Sequence, residues 1–145
     1  MEKQSSQRNQ TFISTKPGLG DVVEGQALVL SSAFSARYDL DIRSGEFLRP
    51  GIAEPGVSVA GKILVVDRAK GGVASSWLLN EMVRLGTAPA ALVFNHAGPV
   101  MIQAAVFAGI PLLQAFEFDI TKKVAQGSLV RLDPTNRTLT IEQSV

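Results

Sequence analysis

Cysteine is absent from this 145-residue chain, and histidine occurs once, as His96. The first absence excludes a disulfide, a thiolate nucleophile and the thiolate ligands of an iron–sulfur cluster. The second excludes a zinc or iron site built from several histidines of one chain, so any metal chemistry would have to come from another chain. Neither sign of charge is in surplus. Fourteen Lys and Arg against 13 Asp and Glu leave a net charge of +1, which gives no electrostatic footprint for nucleic acid or an anionic membrane. No apolar run approaches the ~20 residues that span a bilayer. Met1–Gln10 holds no apolar stretch after a basic start, so no secretory leader is expected and the chain reads as cytoplasmic.

What is present suits one compact core. Apolar residues make up 46% and charged residues 19%, which argues against disorder and leaves enough apolar surface that one covered face is expected. Residues 1–18 are polar, with Phe12 and Ile13 as apolar anchors, and are expected to be a flexible tail ending at Pro17-Gly18. Residues 19–145 are expected to fold as one domain. A first strand is predicted over Gly25–Ser32. Residues 35–61 carry many glycines and prolines and predict loops, with a short strand around Glu46-Phe47-Leu48. Lys62–Asp67 is a continuous apolar run, as in a strand buried on both faces. A helix follows over Val73–Leu85, with Leu78, Leu79, Met82 and Leu85 on its apolar stripe and Gly86 as its stop. Ala90–Phe94 predicts a second buried strand, Pro99–Ala108 a second helix, and Ile110–Leu113 a third strand. That alternation argues for parallel pairing with right-handed crossovers. Ser128–Leu132 and Thr138–Ile141 flank Asp133-Pro134-Thr135-Asn136 and predict a hairpin. The fold class is therefore α/β, mixed sheets with a parallel βαβαβ core plus antiparallel strands.

Chemistry is most readily placed at Lys70-Gly71-Gly72, between a buried strand and a helix start. A helix N-terminus presents unpaired N–H groups and partial positive charge, and glycines let an anion approach that backbone. Lys70 and Arg68 add charge, and Ser75 and Ser76 place hydroxyls in the first turn. The same residues also suit a plain tight turn in which the serines satisfy orphan N–H groups. Neither G-x-G-x-x-G nor G-x-x-x-x-G-K-[ST] occurs. A second cluster, Phe34-Ser35-Ala36-Arg37-Tyr38-Asp39-Leu40-Asp41, joins a guanidinium suited to carboxylate or phosphate with a hydroxyl, a phenol and two carboxylates. A solvated loop with Arg37 paired to Asp39 or Asp41 is the plainer reading of the same residues. Asn95-His96 and Asp67 fall at the C-terminal strand edge where ligands collect in α/β sheets. Phe116-Glu117-Phe118-Asp119 is a mixed apolar–acidic segment suited to a partner contact, and Trp77 is expected in the core or at an interface.

In order, Gly61-Lys62-Ile63-Leu64-Val65-Val66, Lys70-Gly71-Gly72-Val73-Ala74-Ser75-Ser76 and Gly86-Thr87-Ala88-Pro89-Ala90-Ala91-Leu92-Val93-Phe94, followed by Ala108-Gly109-Ile110-Pro111, resemble the small subunit of the aconitase X family. The likeness runs over roughly residues 20–142. It implies a swivelling β/β/α domain that docks on a larger subunit carrying an iron–sulfur cluster, with no cofactor bound by this chain. Known members are hydro-lyases, including cis-3-hydroxy-L-proline and phosphomevalonate dehydratases, acting by proton abstraction at one carbon and loss of hydroxide with cluster iron as Lewis acid. The swivel subunit would close the cleft over a small anionic hydroxy acid. Carried onto this chain, Lys70, Gly71 and Gly72 would hold an anionic group, Ser75 or Ser76 would be the base, and Ser35, Arg37 and Asp41 would line the cleft.

Two departures stand out. Many relatives read Arg-Gly-Ser at Lys70-Gly71-Gly72, and that serine is their proposed proton acceptor, a role Gly72 cannot fill. Ser76 matches a serine further along the same motif, while Ser75 is a local candidate. Relatives also often carry Ser-Phe/Trp-x-Gly-Gly-x-Asp-Pro where this chain has Ser35 to Ile42; Ser35 and Asp41 match, the glycines and proline do not. A non-catalytic binding or regulatory module on the same fold, and a free-standing phosphate-binding domain, are the alternatives.

Overall fold

A computed structural model describes residues 10–30, 40–47, 56–69 and 73–143, with the side chains of 73–76 and 143 outside that description. Its elements are β1 (Gln10–Ile13), β2 (Val23–Leu30), β3 (Ile63–Arg68), α1 (Val73–Leu85), β4 (Ala91–His96), α2 (Gly98–Ala108), β5 (Leu112–Gln114), a 3₁₀ turn (Ile120–Lys122), β6 (Leu129–Asp133) and β7 (Thr138–Gln143). The seven strands form one sheet in the order β1-β7-β6-β2-β3-β4-β5.

β2 joins two kinds of pairing. Its first half, Val23–Gln26, pairs antiparallel with β6, and its second half, Ala27–Leu30, pairs parallel with β3. β3, β4 and β5 continue the parallel part, each crossover made by a helix, as the alternating pattern predicts. The continuous apolar runs of β3 and β4 are explained by burial on both faces. Leu64, Val66, Leu92 and Phe94 meet Leu79 and Met82 of α1 and Met101, Ala104 and Ala105 of α2. Ile63, Val65, Ala91 and Val93 turn the other way, onto Ile120, Val130, Leu132, Leu139 and Ile141. The antiparallel strands therefore cover the face opposite the helices, giving a β/β/α layering.

Both helices stop at a glycine in the left-handed region, Gly86 at φ 79° and Gly109 at φ 74°. There Thr87 and Ile110 donate back to the Met82 and Ala105 carbonyls at 2.9 Å. That bond is why β5 starts at Leu112 and not at Ile110: the Ile110 N–H is committed to the helix cap.

Two expectations are corrected, and the predicted β6–β7 hairpin forms. Residues 10–13, read as part of a flexible tail, form β1 and pair antiparallel with β7 in the register Gln10↔Ile141 to Ile13↔Thr138. Phe12 is half-buried there, its ring 5.7 Å from that of Phe118. Around Glu46-Phe47-Leu48 no strand of the described residues runs; Phe47 and Glu46 make single bridges to Leu40 and Ser58, and Leu48 lies outside the description. The β6–β7 turn takes its left-handed residue at Arg137, φ 62°, while Asn136 is held by both carboxylate oxygens of Asp133.

Candidate functional site

The parallel strands β3 and β4 end side by side, and their last residues are polar because the sheet edge meets solvent there. Strand alternation sends Asp67 and Asn95 to the face of Val65 and Val93, while Arg68 and His96, paired in register, leave on the helix side and are exposed. Asn95 is the centre of this edge. Its amide donates to Asp67 Oδ1 at 2.9 Å and to Asp119 Oδ1 at 2.8 Å, and its Oδ1 accepts from the Ile120 N–H at 2.8 Å. One side chain thus holds two carboxylates together and pins the 3₁₀ turn to the sheet.

Asp119 caps that turn. Its Oδ1 also accepts from the Thr121 hydroxyl at 2.6 Å and the Thr121 N–H at 3.0 Å. The Thr121 hydroxyl, followed by Asn95, holds the Asp119 carboxyl below its ordinary value. Asp67 Oδ2 accepts from Arg68 Nε at 3.2 Å, with the Arg68 side chain largely in solvent and that of Asp67 partly so. Gln114 Oε1, at the end of β5, accepts from the Ala97 N–H at 3.0 Å and fixes the approach to α2. The sequence placed Asp67, Asn95 and Asp119 at edges or in loops but did not join them. The signals that could have done so are an Asn at a strand's C-terminal end and Asp119-Ile120-Thr121 as a capping sequence.

α1 opens at the same edge. β3 ends at Arg68 and α1 begins at Val73, so its N-terminus is reached across only four residues. The first turn holds no acidic residue, which leaves the positive end of the helix uncompensated from within. Ser75 and Ser76 lie in that first turn by backbone position. Lys70, Gly71 and Gly72, together with Ser35 and Arg37, lie outside the described residues.

Asp41 sits elsewhere. It is exposed, its Oδ1 accepts from the Arg43 N–H at 3.0 Å, and its backbone closes a small loop with Gly45 and Glu46. The next residue, Ile42, is tied by its carbonyl to the Thr87 hydroxyl at 2.5 Å, just beyond the end of α1. Ser75 and the last residue of α1, Leu85, are ~15 Å apart along the helix axis at the usual rise per residue. The described residues therefore anchor the Asp41 loop at the opposite end of α1 from the two serines.

Comparison with known proteins decides the lineage. The sequence profile of the aconitase X swivel domain matches residues 13–141. The chain belongs to that family. The phosphomevalonate dehydratase small subunit of Methanopyrus kandleri is 33% identical to this swivel domain over 112 residues, covering 77% of this chain and 83% of that one. The corresponding small subunit of Pyrococcus horikoshii is 33% identical over 118 residues, 81% and 86% of the two chains. The crystal structure of Thermococcus kodakaraensis aconitase X in its holo form superposes with a TM-score of 0.82 at 25% identity, covering 91% of this chain and 98% of that one.

An iron–sulfur cluster does not fit the donors of this swivel domain. The whole chain has no cysteine and one histidine, and no group of three or more metal-ligating residues forms among the described residues. No helix among the described residues is long and apolar enough to cross a membrane.

Proposed function

We propose that this chain is the small subunit of a heteromeric aconitase X-type hydro-lyase that dehydrates a small anionic hydroxy acid in the cytoplasm, with a large subunit as its obligate partner. The names of the archaeal relatives point to a phosphorylated hydroxy acid of the phosphomevalonate kind. The iron–sulfur cluster is assigned to the large subunit, since the donors here cannot hold one. No nucleic acid or membrane partner enters this reading.

The observation that supports it most is the passage from the end of β3 to the start of α1, where a helix N-terminus with no acidic first turn follows Lys70-Gly71-Gly72. The unpaired N–H groups that any helix start presents and the Lys70 charge favour a phosphate or carboxylate at that point, and glycine, lacking a side chain, suits close approach of such an anion. The same positive end favours loss of a proton from a hydroxyl in the first turn, so Ser75 or Ser76 is the candidate base. In the reaction a C–H proton passes to the serine oxygen, hydroxide leaves the adjacent carbon, and a carbon–carbon double bond forms with net loss of water. Ser35 and Arg37 are assigned to the cleft wall. Asp41, held at the other end of α1, is assigned to its own loop.

Single replacements in the assembled complex test the assignment. Ser75→Ala or Ser76→Ala is expected to lower kcat by more than ~100-fold at one of the two positions, with complex formation unchanged. Changes of only a few-fold at both would remove the serine base. Gly72, with no side chain where resembling chains carry serine, favours the second reading in that event: a non-catalytic or regulatory module that only closes the cleft.

A further inference from the structure

Exposed apolar side chains gather on the outer side of the two helices. Trp77 of α1 and Phe107 of α2 are each 64% exposed, and α2 also exposes Val106, next to Phe107 in sequence, at 61% and Val100, about two turns earlier, at 40%. The Trp77 and Phe107 rings meet edge to face with centroids 6.0 Å apart, so an exposed aromatic pair bridges the two helices. Trp77, expected in the core or at an interface, is thus not in the core. α2 carries no charged residue in its eleven positions. The charged pair on α1, Glu81 and Arg84, hydrogen-bonds within itself.

We propose that this helix face is the docking surface for the large subunit, with Trp77 as its anchor. The inference rests on the heteromeric reading above and adds where the partner sits. Trp77 directly follows Ser76, so the patch begins where the shared active centre is assigned, and a subunit completing that centre must lie against it. Covering the four side chains removes on the order of 400 Å² of apolar surface, about half of the ~800 Å² each side of a standard interface buries. That is the apolar centre of such an interface, with the polar rim still to be added. The absence of charge on α2 fits an uncharged apolar surface on the partner and no polyanion.

Trp77 is the only tryptophan in the chain, so 5-fluorotryptophan labelling yields a single ¹⁹F resonance that reports on this patch. Titrating labelled chain with unlabelled large subunit is expected to move that resonance and protect it from a soluble paramagnetic quencher. The double variant V106S/F107S is expected to weaken association at least tenfold while its circular dichroism and thermal midpoint stay close to those of the parent chain. A complex that forms with the resonance unmoved, or with the variant binding within twofold of the parent, overturns the surface and leaves the heteromeric reading standing. A resonance that responds to the chain's own concentration and not to the large subunit assigns the face to a second copy and also overturns it. If the parent chain does not associate with the large subunit at all, the heteromeric reading falls and the surface falls with it.

Discussion

Asn95 joins partners 28 and 24 positions away in sequence, Asp67 and Asp119. Its amide satisfies both carboxylates at once, where two carboxylates without a donor between them would repel. The neighbouring cap has a pH signature. The carboxyl of Asp119 is held below its ordinary value of 3.8, first by the Thr121 hydroxyl and then by Asn95. A carboxyl depressed in the folded state contributes stability that is present above its unfolded value and lost as pH falls through the folded one. Thr121→Ala removes the largest of those causes, so the variant is expected to be less stable than the parent at pH 7 and to lose less stability on acidification, the gap between the two narrowing as pH falls. Urea midpoints measured from pH 7 to pH 3 check this; superimposable pH profiles would contradict it. At this scale the sequence was only partly legible: each residue type was visible at its edge, but a hydrogen bond across two dozen positions leaves no local pattern.

Among the elements, the parallel unit was legible and the edge strand was not. β3 and β4 announce themselves as short apolar runs because both their faces are buried, and α1 was bounded correctly at Val73 and Leu85 by its stripe and its glycine stop. β1 gives no such signal, since Gln10, Thr11 and Ile13 are exposed and only Phe12 is half-buried. It is held by pairing with β7 and by the segment after it, which returns to the far side of the sheet. There Gly18 donates to the Pro134 carbonyl at 2.9 Å, and Leu19 and Leu112 exchange backbone hydrogen bonds. A Cβ on Gly18 would stand 2.4 Å from the Leu112 carbonyl oxygen and 2.8 Å from Pro134. Both obstacles belong to stiff parts of the fold, so Gly18→Ala is expected to destabilise by about 1–3 kcal/mol, as overpacking does. Chemical denaturation measures it, and a variant as stable as the parent would show that the clasp has slack.

At the scale of the whole molecule, one sheet is used in two ways. Its antiparallel end closes one face of the core, and its parallel end delivers polar residues and a helix N-terminus to a single edge. Membership of the aconitase X swivel family was legible from the ordered motifs spanning β3 to β5, because each of them serves a strand entry, a helix start or a helix stop that the fold requires. The apolar patch was legible only as a surplus of apolar residues, since sequence alone does not show which side of a helix is left uncovered. The central claim is that this chain supplies one half of an active centre and its partner the other. Steady-state dehydration of phosphomevalonate and other small hydroxy acids by the large subunit, assayed with and without this chain, tests it most directly. Turnover is predicted only when both are present; equal turnover by the large subunit alone, or turnover by this chain alone after metal stripping, would contradict it.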